Sequence, residues 1–118
     1  MDMVKFISIE DDDPDLVLSF ALDDEGFAVK SLILLRTPAF ESLLPSHERG
    51  VDVSMEGDDE FEDNLLKEII LTKDKVTVVA LYKSYELDTS RVEKDELEEM
   101  LMFIEKLNFD SCFKVSRK

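Results

Sequence analysis

The chain has no tryptophan, one cysteine, one histidine and three glycines in 118 residues. Each scarcity removes a class of chemistry. The lone Cys112 cannot close an internal disulfide, which fits a reducing compartment. With one cysteine and one histidine no zinc site can be assembled, because carboxylates alone rarely hold that metal. His47 stands in "LPSHERG" (44–50), a polar loop with no packing signal to place it as a catalytic base. Cys112 has only Lys114 close by in sequence, a poor group for generating a thiolate. Gly26, Gly50 and Gly57 are scattered, so no phosphate-cradling loop is present. Basic residues are also few, 14 Lys and Arg against 29 Asp and Glu, with no aromatic–basic patch. Nucleic acid and anionic membrane are therefore not expected as partners. No uninterrupted apolar run approaches the 18 or so residues a transmembrane helix needs. The opening "MDMVKFISIEDDD" is not patterned as a secretion signal, and a cytoplasmic location is expected.

What is present is a globular composition with an unusual charge. Hydrophobic residues make up 44%, too many for a disordered chain, and eight of them are Phe. Residues 1–118 are read as a single domain, a common domain length. The formal net charge of −15 is not spread evenly. Residues 1–63 hold 18 acids and 4 bases, whereas residues 64–118 hold 11 acids and 10 bases. The first half thus carries nearly all of the excess. Its acids gather in three runs, 10–15, 23–25 and 56–63, the last with Glu56, Asp58, Asp59, Glu60, Glu62 and Asp63 around Phe61.

Hydrophobic periodicity sets the expected elements. "MVKFISI" (3–9) alternates loosely, with Val4 and Phe6 on one side and Ile7 and Ile9 on the other. "EDDDPD" (10–15) then breaks the strand, because Pro14 lacks a donor and Asp favours turns. Leu16, Leu18, Phe20 and Leu22 share one face of a second strand, which pairs through "DEG" with a third at 27–36. The apolar end of the third, Leu32–Leu35, predicts cover on both faces. The segment 37–50 predicts a short helical turn, and 51–55 a short strand. A hairpin of 65–72 and 75–82 turns at Lys73-Asp74. A helix over 90–109 starts at a Ser90/Glu93 capping box and carries the stripe Leu97, Met100, Leu101, Ile104 and Leu107. "CFKV" (112–115) suggests a short final strand. The expected class is α+β, a mainly antiparallel sheet of five to six strands with one C-terminal amphipathic helix packed on one face.

The acidic runs do not match a metal loop. Asp11, Asp13 and Asp15 alternate as a calcium loop begins, but Leu16 and Leu22 stand where its Gly and bidentate Glu belong. Asp63 likewise replaces the Gly after Asp58, Glu60 and Glu62, leaving at most a weak surface calcium site. With 29 acids some carboxylate pair is inevitable and carries no catalytic information. No cofactor and no enzymatic activity are expected. A surface for a basic protein partner remains, since such charge speeds encounter with one. The residues assigned to it are Asp11, Asp12, Asp13, Glu56, Asp58, Asp59, Glu60, Phe61, Glu62 and Asp63. Phe61 is its candidate buried anchor. If the runs 10–15 and 56–63 lie at one end of the sheet, they form one negative face. The competing reading is a structural or regulatory interaction module, homodimeric through a sheet edge, whose acidic loops serve only solubility.

One family resemblance joins these stretches. "EDDDPDLVLSFALDDEG", "SLILLR", "ERGVDVSME", "EIILTKDKVTVVA" and "ELDTSRVEKDELEEMLMFI" occur in that order. Together, across residues 6–108, they resemble immunity protein family ten of bacterial polymorphic toxin systems. The segment between the hairpin and the helix departs from that pattern. The resemblance implies a non-enzymatic, cytoplasmic protein that binds and blocks a cognate basic toxin domain. It carries over no catalytic residue.

Overall fold

The structure, a computed structural model, describes residues 2–12, 15–24, 28–45, 49–57 and 64–118. Its first four strands, β1 (Asp2–Asp12), β2 (Asp15–Asp24), β3 (Ala28–Arg36) and β4 (Asp52–Met55), pair as an antiparallel run. A 3₁₀ helix, Pro38–Leu43, follows β3 with Pro38 at its first turn, where a missing N–H costs nothing. The remaining strands are β5 (Leu66–Thr72), β6 (Lys75–Ala80), β7 (Ser84–Asp88) and β8 (Lys114–Arg117). β5–β6 and β6–β7 are antiparallel, and β8 lies parallel to β5. The helix α1 (Lys94–Leu107) connects β7 to β8.

The α+β class holds, with a mostly antiparallel sheet, but the strands number eight rather than five to six. β7 was not expected, and the final strand suggested at 112–115 forms at Lys114–Arg117. The strand order is β4-β3-β2-β1-β7-β6-β5-β8. β1 meets β7 in parallel at only two positions, Asp2–Leu87 and Met3–Asp88. At the far side, Asp52 bridges Leu65, Val53 N–H donates to Asn64 O at 3.0 Å and Leu66 N–H to Val51 O at 2.8 Å. These bonds join β4 to the start of β5, so seven strands form a ring. Buried Asn64 stitches the seam, its Nδ2 donating to Val53 O and its Oδ1 accepting from Tyr82 N–H.

Period-two alternation fills the interior. Leu18, Phe20, Leu22, Leu32, Leu34, Val53, Val76, Val78 and Leu87 are buried with Met100, Phe103, Ile104 and Leu107 of the helix. Ile33 and Leu35 keep partial exposure, so the double cover expected for β3 is incomplete. In β1 the expected faces are corrected by a bulge between Val4 and Phe6. The extra residue turns Ile7 and Ile9 to the core side shared with Val4 and leaves Phe6 half exposed.

The helix is shorter than expected. Glu93 is its N-cap without a side-chain cap bond, so the Ser90/Glu93 capping box does not form. Ser90 instead donates its N–H to Asp88 Oδ1 in the preceding turn. Its buried stripe gains Phe103, while Leu97 and Leu101 are only partly covered. Glu96 Oε1 accepts the Ile7 N–H at 3.1 Å, and Lys106 Nζ pairs with Asp11. Ten helical residues rise about 15 Å and four strand residues about 13 Å, so α1 runs alongside β1.

Candidate functional site

The two halves of the sequence are the two halves of the fold. Strands β1–β4 come from the acidic half, and β5–β8 with α1 from the nearly neutral one. Within the acidic half the bases are already engaged. Lys5 lies 4.0 Å from Asp23, Lys30 lies 3.6 Å from Asp2, Arg36 is bound by carboxylates, and Arg49 donates to Leu44 O.

The acidic runs were expected in loops; the described parts of 10–15 and 23–25 are strand instead, while Glu56 and Gly57 form a turn after β4. Asp11 and Asp12 belong to β1, and Asp23 to β2. Asp12 is set opposite Asp15 in the β1–β2 ladder, with Glu10 two residues before it. Like charges facing each other across a ladder are destabilising, so packing does not account for this pair. Strand register also separates Glu56 from Asp11 and Asp12, the described residues of two runs that could have formed one face. Asp11 is level with Leu16 and Arg36, whereas Glu56 donates its N–H to Ser31 O, level with Ala21 and Phe6. Glu56 therefore lies at the same end of the sheet as Asp23, opposite Asp11 and Asp12. Glu56 also accepts the Ser31 N–H on Oε2 at 3.2 Å, which extends the β3–β4 pairing. Asp13, the residues Asp58–Asp63 with Phe61, His47 and the 25–26 part of the "DEG" turn lie outside the described residues.

A groove borders Asp11 between β1 and α1. Ile9, Asp11, Glu99, Met102, Phe103 and Lys106 line about 440 Å³. Met102 is 72% exposed, on the solvent side of the buried Phe103. An apolar floor rimmed by acids is the arrangement in which a few anchors bind and charges steer. Asp11 was legible from sequence; Met102 and Phe103 were missed, because they fall beside the apolar stripe rather than on it.

The same end of the molecule holds a buried arginine. Arg36 is 1% exposed and gives its Nε and Nη2 to Glu41 at 2.8 and 3.0 Å. Its Nη1 and Nη2 reach Asp110 at 3.0 and 2.8 Å, and Nη1 also donates to Leu107 O at 2.7 Å and to Cys112 Sγ at 3.3 Å. The Phe109 ring lies 4.0 Å from the guanidinium carbon. Burial alone would lower the affinity of Arg36 for its proton, but the hydrogen bonds to Asp110 and Glu41 outweigh it and raise its pKa. The bond from Arg36 holds the Asp110 carboxyl down at about 2. Desolvation raises the Cys112 thiol despite the nearby guanidinium, which does not favour a nucleophile. This node ties β3, the 3₁₀ helix and the end of α1 together, and it is structural. The alternation Leu32, Leu34, Arg36 was the sequence signal for it, because period two points Arg36 inward.

Among the described residues, no group of three or more His, Cys, Asp or Glu is placed to hold a metal ion. Among them too, no helix is long and apolar enough to cross a membrane. Comparison with protein-family models, with curated proteins and with solved structures found no match to this chain.

Proposed function

We propose that this chain is a non-enzymatic protein-binding protein, an immunity protein that binds and neutralises a cognate basic bacterial toxin in the cytoplasm. The observation that carries the reading is the acidic half-sheet, where Asp12 faces Asp15 at the end of the β1–β2 hairpin at a cost to the fold. Charge held against stability is readily understood as charge held for a partner. Complementary charge raises association rates far above those of neutral pairs, which suits an inhibitor that must reach its toxin early. The resemblance of residues 6–108 to immunity protein family ten supplies the toxin as the kind of partner. The proposed surface comprises Asp11, Asp12, Asp13, Glu56, Asp58, Asp59, Glu60, Phe61, Glu62 and Asp63, of which the described Asp11 and Asp12 stand at one end of the sheet and Glu56 at the other.

Co-expression tests this reading. A basic toxin encoded by a neighbouring gene should arrest growth alone and be silenced by this chain. The purified pair should then form a stable complex. Continued arrest, with no complex formed, would remove the proposal.

A further inference from the structure

The second edge of β1 is only partly covered. β7 pairs with β1 at Asp2 and Met3 alone, and no described strand lies opposite the rest of that edge. Ile7 N–H points outward, because it donates to Glu96 Oε1 rather than across the β1–β2 ladder. The ladder is regular from Phe6 to Asp12, so outward-pointing groups recur every second residue. The N–H and C=O groups of Ile9 and Asp11 therefore face away from β2, toward the groove they line with Glu99, Met102, Phe103 and Lys106.

We propose that this edge is a strand-addition site, which takes an extended basic segment of a protein partner beside β1. The inference rests on the protein-binding reading above and names its contact. The partner's main chain pairs with Ile9 and Asp11. One apolar side chain enters the groove against Ile9, Met102 and Phe103. The alternate Lys or Arg side chains fall on the opposite face of the strand, where they meet Glu10 and Asp12. An open edge supplies affinity through main-chain bonds, while the groove and the charges choose the sequence.

Charge selects this occupant over a second copy of the chain. The exposed stretch of β1 carries Glu10, Asp11 and Asp12 against Lys5. Two such edges side by side would bring like charges together, whereas a basic segment neutralises them.

The test uses the full ¹⁵N-labelled chain and a capped peptide of about eight residues alternating Lys and Val, the length of an ordinary strand. Amide shifts should centre on Ile9 and Asp11. Methylating every second peptide nitrogen, or changing Met102→Lys on the exposed helix surface, should each weaken binding at least tenfold. Equal binding of the methylated peptide would overturn the proposal by reducing the contact to charge. Shifts confined to the Asp23 and Glu56 end, or no binding at millimolar peptide, would also overturn it. So would self-association that Met102→Lys abolishes, since the occupant would then be a second copy. A toxin neutralised equally well by the Met102→Lys protein would remove this site and keep the proposed function. Peptide docking without any toxin neutralisation would do the reverse.

Discussion

Arg36 shows how far one side chain can commit a fold. Five N–H groups taken out of water need five acceptors, and Glu41, Asp110, Leu107 O and Cys112 provide them. Removing the cation alone strands Glu41, which is 8% exposed. Arg36→Met should therefore cost about 3–5 kcal/mol in urea denaturation, and Arg36→Met with Glu41→Leu should recover much of it. Asp110 makes the pH dependence legible. Its folded pKa of about 2 lies below the unfolded value near 3.9. The stability it contributes is present above the unfolded value and is lost as pH falls from about 4 through about 2. Acid titrations of unfolding should show that loss in the native protein and a shallower one in Asp110→Asn. Asp110 keeps nearly half its side chain in water, so solvent screens the effect.

Among the elements, α1 is the one under-supported by local chemistry. Its N-cap Glu93 makes no side-chain cap bond, although Asp95 and Glu96 in the first turn suit the helix dipole. Glu93→Asp keeps the charge and offers a carboxylate of capping length, so it should stabilise the protein by about 0.5–1 kcal/mol in thermal or urea unfolding. The helix bounds were misread for a physical reason. Ser90 and Glu93 have capping-box spacing, but Asp88 captures the Ser90 N–H and the chain turns before it winds. The β5–β6 hairpin was legible because apolar runs, dense in β-branched residues on the second arm, flank a two-residue turn. There Asp74 takes φ 62°, a conformation Asp accepts more readily than most. β7 was missed, and β8 was placed two residues early, because four or five residues carry too short an alternation to stand alone. Each becomes a strand by pairing with a neighbour distant in sequence, β8 with β5 across Glu68–Lys114 to Leu71–Arg117. The bulge after Val4 escaped for a similar reason, since only the β2 partner reveals that Lys5 is an extra residue.

At the scale of the whole molecule, the unequal charge of the two sequence halves becomes a polarised surface, because each half builds its own run of strands. That much followed from counting acids and bases along the chain. Whether two acidic runs share an end depends on register, and register placed Glu56 away from Asp11. The groove beside Asp11 was invisible in sequence, because it needs α1 to lie along an edge that β7 leaves open. The central claim is that this charge serves a basic protein partner, and association kinetics test it most directly. A partner captured on the immobilised chain at low salt should be basic, bind fast, and lose on-rate steeply as salt rises through the physiological range. Neutralising Asp58, Asp59, Glu60, Glu62 and Asp63 together should slow association about tenfold or more at low salt and flatten that dependence. An unchanged on-rate, with the same salt dependence, would contradict the account and leave this acidic run as a solvated loop.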